Sequence, residues 1–256
     1  TAVERLRTYG GAVFQLDAHL NRWQQTIDAI GIEGLPRRTA IEVLIGELIG
    51  RNQAFHDAVG DFGITWFATP GSGGSQPPTF GMHLNSIDHD AVRRRRSRGQ
   101  VLVVTDVAQP PENTWPRAIK VRSRLHYYLA DQIARRQYAE ALGVLLDQDG
   151  SVTETSVASL AIVESAAVIS PPPDREWGGI TPQVVQRLAA ESSIEWSHEV
   201  ISPERLSTAD EVLLMGTDGG VWFANRVGKT KVGGGQPGGV FKQLLRRFDD
   251  FSGCEG

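Results

Sequence analysis

One lysine, Lys120, stands alone among the first 228 residues, in the segment AIKVRSRLHYYLADQIA at 118–134. The chain has 4 lysines against 22 arginines, and the other lysines lie near the C-terminus: Lys229, Lys231 and Lys242. A lysine that is partly removed from water can present a neutral amine near pH 7, and this amine can form a Schiff base with a carbonyl carbon. Ile119, Val121 and Leu125 make the neighbourhood apolar enough for that chemistry. Composition alone favours an ordinary surface lysine, so other segments must decide.

Five separated segments carry motifs that occur together in one enzyme family. In chain order they are ERLRTYGGAVFQLDAHLNRW, IKVRSRL, LLDQDGSVTETSVASLAIV, WGGITP and ADEVLLMGTDGGV. Their order and spacing, from about Glu4 to Phe248, resemble the class IV (fold-type IV) pyridoxal-phosphate enzymes. This family includes branched-chain and D-amino-acid aminotransferases and aminodeoxychorismate lyase. Each segment alone is a weak signal, and the resemblance rests on all five together.

The resemblance implies a role for each polar residue toward pyridoxal 5'-phosphate. Lys120 matches the lysine that holds the cofactor aldehyde as a Schiff base and later moves a proton between the substrate carbon and the cofactor carbon. Glu154, in VTET, matches the carboxylate that keeps the ring nitrogen protonated, as the electron sink requires. Arg22, in HLNRW, matches the phosphate-binding cation. His19, on the same predicted helix, is interpreted as structural, with a packing hydrogen bond.

The segment GGITPQVVQRL offers backbone N–H groups to a phosphate. We interpret Thr181 as the N-cap and Pro182 as the first residue of a helix that reaches about residue 192. The start of a helix presents unpaired amides and the positive end of its dipole to an anion. The resemblance places Ile180 and Thr181 at the phosphate, together with Thr217 from the segment MGTDGG.

Three positions depart from the family pattern. Ser159 stands where asparagine often follows the acidic residue, and Pro182 stands where arginine usually continues the phosphate loop. Pro70 precedes Gly71 in TPGSGG, where the end of the strand often reads Arg-Gly. In several family members that arginine helps to hold the substrate carboxylate. Its loss puts the usual recognition of α-amino and α-keto acids in doubt.

The leading hypothesis is a pyridoxal-phosphate-dependent aminotransferase that transfers an amino group between an amino acid and a keto acid through a Lys120 aldimine. The second is aminodeoxychorismate lyase, which eliminates pyruvate and leaves 4-aminobenzoate. KVRSRL and GSGG look closer to the lyase branch, yet that branch usually keeps the Arg-Gly that is lost here. The departures also motivate a third hypothesis, a non-catalytic member of the family. Two-lobed members work as homodimers, so the resemblance implies a homodimer.

The pattern of elements predicts an α+β fold in two lobes, similar to D-amino-acid aminotransferase, with mixed sheets and helices outside. Residues 1–107 are predicted to form a smaller N-terminal lobe. The segment AQPPENTWPR at 108–117 is rich in proline and polar residues and is predicted to be a linker. Residues 118–256 are predicted to form a larger lobe that carries the Schiff-base lysine.

The resemblance implies a small amino-acid or keto-acid substrate, and composition gives no sign of other partners. The net charge of −4 gives no global attraction to nucleic acid, and the one basic cluster, VRRRRSRG at 92–99, is interpreted as a solvated loop. No stretch approaches the ~20 apolar residues of a transmembrane helix, so no membrane association is expected. The single cysteine, Cys254, excludes an intrachain disulfide, which is compatible with the cytoplasmic location that we expect. The histidines are not spaced as metal ligands, so we predict no metal.

Overall fold

The computed structural model describes residues 1–71, 76–114, 116–175 and 178–253. The chain divides into two compact units. Unit 1 consists of Thr1–Asp88 and Ala118–Ser123 with a few C-terminal residues, and unit 2 consists of His89–Arg117 and Arg124–Phe251. Several residues that entered the predictions lie outside the described residues: 72–74 of TPGSGG, Trp115 of the linker, Trp177 of WGGITP, and Cys254.

These units do not follow the predicted lobe boundaries. The prediction places residues 89–107 in the N-terminal lobe and Lys120 in the C-terminal lobe, whereas the structure has them in unit 2 and unit 1. The segment Gln100–Ala108 belongs to unit 2 because its hydrogen bonds run to strands of that unit. The segment around Lys120 belongs to unit 1 because Val121 pairs with Ala2. Both pairings join residues far apart in sequence, so local composition gives no sign of them.

Unit 1 is an antiparallel sheet covered by helices. Its strands are β1 (Ala2–Tyr9), β2 (Ala12–Val13), β3 (Phe62–Thr69) and β4 (Thr79–Ser86), and they lie in the order β2–β1–β3–β4. Its helices are α1 (Leu16–Ile30), α2 (Arg38–Arg51) and α3 (Gln53–Val59). Buried side chains of the sheet pack with those of the helices to form the core, among them Leu6, Ile64, Trp66, Leu20, Trp23 and Ile41.

Local sequence explains where the first elements of unit 1 begin and end. Gly10 and Gly11 have φ values of 56° and 79°, a region that residues with a side chain rarely adopt, and the hairpin of β1 and β2 turns there. Gly31 ends α1 in the left-handed conformation, with φ 73°. Leu20, Trp23 and Ile27 recur at helical spacing and are buried, which places one face of α1 on the sheet.

Unit 2 is built on a mixed sheet with helices. Its first elements are α4 (His89–Arg98), β5 (Gln100–Ala108), α5 (Leu125–Gln137), β6 (Leu142–Leu146), β7 (Val152–Thr155), β8 (Ser159–Glu164) and β9 (Ala167–Ser170). The later elements are α6 (Ile180–Glu191), β10 (Trp196–His198), α7 (Pro203–Thr208), β11 (Glu211–Gly216), β12 (Gly220–Val227), β13 (Thr230–Lys231) and α8 (Gly239–Ser252).

The sheet of unit 2 closes on itself. The strands lie in the order β10–β9–β8–β11–β12–β5–β6–β7, and β7 pairs again with β8 through Glu154 and Ser159. Strand β5 runs parallel to both of its neighbours, β12 and β6. Alternate residues of the barrel strands form the main core, among them Leu102, Val144, Leu160, Ile162, Val212, Leu214 and Trp222. Helix α5 lies directly on β6, since a Cβ on Gly143 would stand 2.4 Å from the carbonyl carbon of Ala130.

The arginine cluster at 92–99 is helical, so its interpretation as a loop is wrong. The described helix α4 ends at Arg98, and Gly99, with φ 78°, leads into β5. Arg96 of α4 pairs with Asp249 of α8 at 3.0 Å, and Arg95 lies over the ring of Trp222. These contacts hold α4 without an apolar stripe, so hydrophobic periodicity could not reveal the helix.

Candidate active site

Lys120 lies in an extended segment of unit 1, ahead of α5. Its carbonyl oxygen accepts a hydrogen bond from the N–H of Val3 at 2.9 Å, and its own N–H donates to Oγ1 of Thr26 at 3.1 Å. Val3 belongs to β1 and Thr26 to α1. The backbone of Lys120 is therefore fixed to two elements of unit 1, while the residue itself is half-buried. The next helix, α5, begins five residues later, at Leu125.

Arg22 of α1 is held by a buried carboxylate. Its Nε donates to Oε2 of Glu4 at 3.0 Å, and its Nη2 donates to Oε1 at 2.7 Å. Nδ1 of His19 lies 3.0 Å from the same Oε1. All three side chains are buried, with Glu4 at 0% exposure. The buried hydrogen bond of His19 agrees with its interpretation as a structural residue.

The charges of this group shift two pKa values. Burial alone would raise the pKa of the Glu4 carboxyl, but the charge of Arg22 and the hydrogen bond of His19 outweigh it and hold this pKa well below its usual range. Burial lowers the pKa of His19, and the charges of Arg22 and Lys120 lower it further, against the opposing effect of Glu4. His19 is therefore neutral near pH 7, and Glu4 and Arg22 form an ion pair.

Glu154 of β7 is held in unit 2 by two donors that carry no charge. The hydroxyl of Tyr127 donates to Oε1 at 2.5 Å, and Nε2 of Gln109 donates to the same oxygen at 3.0 Å. Glu154 is 4% exposed, so its side chain is buried within unit 2. The two donors fix the orientation of the carboxylate.

The hydroxyl of Tyr127 keeps its proton, and so remains a hydrogen-bond donor, over the whole physiological pH range. Burial raises the pKa of its phenol, and the charge of Glu154 raises it further. The guanidinium of Arg124 lies over the face of the Tyr127 ring, with its Cζ 4.2 Å from the ring centroid. Arg124 also donates to the carbonyl oxygen of Ser156, one residue beyond β7. Tyr127 is thus fixed both through the face of its ring and through its hydroxyl.

The start of α6 lies earlier than predicted. Gly179 is the N-cap, and Ile180, Thr181 and Pro182 are the first helical residues, so the assignment of Thr181 as the N-cap is wrong. Glycine fits this position because a Cβ there would stand 3.0 Å from Oγ of Ser159 and 2.8 Å from Cγ of Pro182. The backbone amides of the first turn are the donors that such a helix start offers to an anion.

The remaining predicted residues of unit 2 lie around this helix start. Ser159 pairs directly with Glu154 across β7 and β8, and its Oγ lies close to Gly179. Thr217 follows β11 directly, and α6 packs on β11. The structure therefore brings Glu154 and the residues of α6 into one neighbourhood through Ser159. Lys120 and Arg22 belong to unit 1.

Sequence reasoning missed three residues of these groups: Glu4, Gln109 and Tyr127. Glu4 lies in the segment that resembles the family opening, and its alternation with Leu6 could have indicated a buried carboxylate. Tyr127 lies 27 positions from Glu154 and Gln109 lies 45 positions from it, so neither shows a local pattern with that residue. Only the pairing of the strands brings them together.

The described part of the chain contains no group of three or more His, Cys, Asp or Glu residues that could hold a metal ion. A membrane span is likewise not found, since each described helix is too short or too polar to cross a bilayer. Unit 1 holds the lysine Lys120 and the arginine Arg22, and unit 2 holds the buried carboxylate of Glu154 and the amide end of α6.

Such a set is typical of the family that the sequence resembles, and the family model for amino-transferase class IV matches residues 1–227. The chain belongs to the class IV aminotransferase family. Membership covers most of the chain, so the family prediction is confirmed.

The curated relatives that this class IV chain matches are named as branched-chain-amino-acid aminotransferases or as proteins similar to them. Branched-chain-amino-acid aminotransferase-like protein 2 of Arabidopsis thaliana is 25% identical over 264 residues, which cover 99% of this chain and 45% of that protein. A putative branched-chain-amino-acid aminotransferase of Methanocaldococcus jannaschii is 26% identical over 261 residues, with 96% and 85% covered. The enzyme of Escherichia coli K12 is 34% identical over 139 residues, with 53% and 44% covered. The chain spans less than half the length of the Arabidopsis relative.

Solved structures confirm the α+β fold. Escherichia coli branched-chain amino acid aminotransferase superposes with a TM-score of 0.90 at 23% identity, over 100% of this chain and 86% of that one. The PLP form of the Thermobaculum terrenum enzyme gives 0.86 at 20% identity, with 99% and 85% covered. A putative branched-chain amino acid aminotransferase of Thermotoga maritima gives 0.81 at 23% identity, with 98% and 85% covered. At these sequence identities the structural similarity shows a shared fold and nothing more.

Proposed function

We propose that this class IV protein is a pyridoxal-phosphate-dependent aminotransferase that transfers an amino group between an amino acid and a keto acid. The observation that carries the proposal is the buried carboxylate of Glu154, with Tyr127 and Gln109 donating to its Oε1. A carboxylate fixed in this way is suited to hold a protonated ring nitrogen. Family membership supports the same assignment.

The donor set of the chain fits the cofactor. Lys120 would hold the aldehyde end and Glu154 the ring nitrogen. The phosphate would be held by the amides of Ile180 and Thr181, by the hydroxyl of Thr217, and by Arg22. The ion pair with Glu4 fixes the orientation of the Arg22 guanidinium, whose planar fork geometry suits a phosphate.

The phosphate contacts would be strengthened by burial. Ile180 and Thr181 are each 5% exposed, so an anion at their amides would be bound away from bulk water. Pro182 has no N–H, and it occupies an early helical position where the missing donor costs no intrahelical hydrogen bond. The departure at Pro182 is therefore compatible with an anion site formed by the amides before it.

Bound pyridoxal phosphate supplies an electron sink for negative charge on the substrate carbon. The chain would supply the proton transfer, with the amine of Lys120 taking the proton from the substrate carbon and returning it to the cofactor. Glu154 would hold the proton on the ring nitrogen, and Tyr127 and Gln109 hold Glu154 in its orientation. Arg22 and the start of α6 would anchor the phosphate.

The absorbance spectrum of the protein with pyridoxal phosphate, before and after borohydride reduction, tests this assignment. We expect a reducible cofactor linkage that peptide mapping locates on Lys120 and that is lost in Lys120→Ala. Lys229→Ala is the matched control, because Lys229 is exposed and far along the chain. A label on Lys229 or Lys231, or no label, would contradict the proposal.

Product analysis separates this activity from the other two hypotheses. Amino transfer that depends on a keto acid and releases no pyruvate supports the aminotransferase. Formation of 4-aminobenzoate and pyruvate would support the lyase instead. Absence of turnover with every amino donor, in protein that binds the cofactor, would support a non-catalytic member of the family.

We also propose that the protein works as a homodimer on a small amino-acid or keto-acid substrate. The helix α5 has an exposed apolar face that agrees with a partner surface, formed by Leu125, Tyr128 and Leu129 at 68%, 59% and 45% exposure. Sedimentation equilibrium tests the oligomeric state, and a monomer at micromolar concentration would contradict it. The cytoplasmic location stays a prediction that cell fractionation tests.

A further inference from the structure

Ser159 of β8 is a buried serine whose hydroxyl is not used by the rest of unit 2. The residue is 5% exposed, and among the described residues its Oγ has no hydrogen-bond partner. Buried hydroxyls are normally paired. Ser170 of the neighbouring strand β9 follows that rule, since it is 3% exposed and its Oγ accepts from Nε1 of Trp196 at 3.1 Å and lies 2.9 Å from Nδ1 of His198. The hydroxyl of Ser159 is therefore available to a ligand.

The side chain of Ser159 lies on the face of the sheet that is opposite to the main core of unit 2. Leu160, the next residue of β8, belongs to that core, and successive side chains of a strand point to opposite faces. Glu154 pairs with Ser159 across β7 and β8, so the two side chains share one face. The hydroxyl of Ser159 and the carboxylate that accepts from Tyr127 are thus neighbours on one surface.

On this surface Ser159 also contacts the start of α6. Gly179 is the N-cap, and a Cβ there would stand 3.0 Å from Oγ of Ser159. Ile180 and Thr181 follow directly, and the amides in the first turn of a helix have no partner within the helix. Helix α6 has 12 residues, so its first turn carries the positive end of a helix dipole. The hydroxyl of Ser159 therefore lies beside amides that can bind an anion.

Two departures from the family pattern meet at Gly179. The same Cβ position would stand 2.8 Å from Cγ of Pro182, so Ser159 and Pro182 both approach this glycine. Pro182 has no N–H, and it stands where arginine usually continues the phosphate loop. Ser159 stands where asparagine is often found, and its hydroxyl can donate one hydrogen bond. This helix start thus lacks a cation and has a neutral donor beside it.

We propose that the hydroxyl of Ser159 donates a hydrogen bond to the phosphate of pyridoxal phosphate and that it selects this cofactor over pyridoxal. The inference rests on the proposed function, which assigns the phosphate to the amides of Ile180 and Thr181. Paired residues of antiparallel strands have Cβ atoms about 4.5–5.5 Å apart. Only a methylene and an ester oxygen join the phosphate to the pyridine ring. A cofactor whose ring nitrogen lies at Glu154 therefore reaches Ser159, one strand away, with its phosphate.

Titration of the cofactor-free protein with pyridoxal phosphate and with pyridoxal tests the role of Ser159. We expect Ser159→Ala to bind pyridoxal phosphate about 10- to 100-fold more weakly, as the loss of one hydrogen bond to a charged group does, and to bind pyridoxal within about twofold of the wild type. Ser159→Cys keeps a weak donor and should give an intermediate affinity.

Ser170→Ala is the matched control, because it removes a buried hydroxyl that already has its partners within the protein. This variant should keep the affinity of the wild type for both compounds. The ³¹P resonance of the bound cofactor should shift in Ser159→Ala and should stay in place in Ser170→Ala, since only the first change removes a donor to the phosphate.

The outcomes separate the role of Ser159 from the proposed function. An unchanged ratio of the two affinities in Ser159→Ala, which includes an equal loss of both, overturns the role. A wild type that binds pyridoxal as tightly as pyridoxal phosphate overturns it as well. If Ser159 carries the preference for the phosphate but no amino transfer occurs, the proposed function fails and the role of Ser159 stands. Amino transfer by a protein that keeps this preference in Ser159→Ala gives the reverse result.

Discussion

Two buried glutamates, Glu4 in unit 1 and Glu154 in unit 2, are held in opposite ways. Glu4 meets the charged guanidinium of Arg22 and the ring of His19. Glu154 accepts from a phenol and an amide, which add donors without adding a charge. The two residues are buried almost equally, with Glu4 at 0% and Glu154 at 4% exposure. The difference teaches that burial alone does not assign a role, because the donors to Glu4 include the cation Arg22 whereas the phenol of Tyr127 and the amide of Gln109 are neutral donors to Glu154.

The largest effect should follow from removing the charge of Glu154. We expect Glu154→Gln to lower kcat/KM by about 10²- to 10³-fold, as the loss of one preorganised electrostatic partner does elsewhere. The free energy of unfolding should change by about 1 kcal/mol, because the amide can keep one neutral hydrogen bond. Steady-state kinetics and urea unfolding of one preparation measure both. If the variant is as active as the wild type, the charge of Glu154 has no role in catalysis.

The same change at Glu4 should act mainly on stability. Glu4→Gln leaves Arg22 as a buried charge with a weaker partner, and we expect the free energy of unfolding to fall by about 3 kcal/mol. Urea unfolding measures the loss, with Glu47→Gln as control, since Glu47 is exposed and pairs with Arg51 on the surface of unit 1. Equal stability of the two variants would show that the ion pair of Glu4 does not differ from a surface pair.

A smaller effect is expected at Tyr127. Tyr127→Phe removes one of the donors to Oε1 of Glu154 while it keeps the ring beneath Arg124. We expect kcat to fall about tenfold and the free energy of unfolding to fall by about 1–2 kcal/mol. Tyr128→Phe is the matched control, because that neighbour is 59% exposed. If the ¹⁵N shift of the labelled cofactor ring nitrogen is the same in both variants, the Tyr127 hydroxyl does not act on the ring nitrogen through Glu154.

The smallest effect is a loss of stability at acidic pH. His19 has a pKa below its ordinary 6.5, so the unfolded chain takes up its proton first, and stability falls as the pH drops below about 6.5. Glu4 has a pKa below its ordinary 4.5, so its contribution is complete above that value and is lost as the pH falls further. Urea unfolding at pH values of about 7, 5.5 and 4 measures this decline. His19→Asn should flatten the first part of the decline, and an unchanged slope would contradict the assignment.

The sequence allowed the local elements and the family to be predicted, and several contacts show why. Gly31 ends α1 as its type and position indicate, and the hairpin turns at Gly10 and Gly11. Such features depend on residues within a few positions of one another. The candidate residues of the site were identified through the resemblance, and their roles remain proposals. Arg22 illustrates the limit, because its ion pair with Glu4 does not follow from the HLNRW motif.

What could not be predicted depends on pairing over long distances. Gln109 reaches Glu154 only because β5 and β7 both pair with β6 in one barrel. The segment around Lys120 joins unit 1 because a bridge connects Val121 to Ala2. The helix α4 was missed for another reason, since charged contacts such as Arg96 to Asp249 replace an apolar stripe. Composition and periodicity describe each segment but not the partner that it finds.

The parallel pairing of β5 with β12 has a consequence for synthesis on the ribosome. Gln100 pairs with Ala224, so the barrel of unit 2 cannot close until nearly the whole chain has emerged. The four strands of unit 1 are complete by Ser86, and they can pair much earlier during translation. Closure over so long a loop is slow, and β5 waits meanwhile with an unpaired edge. A pause in translation between residues 108 and 224 should therefore favour aggregation through β5 more than through any strand of unit 1.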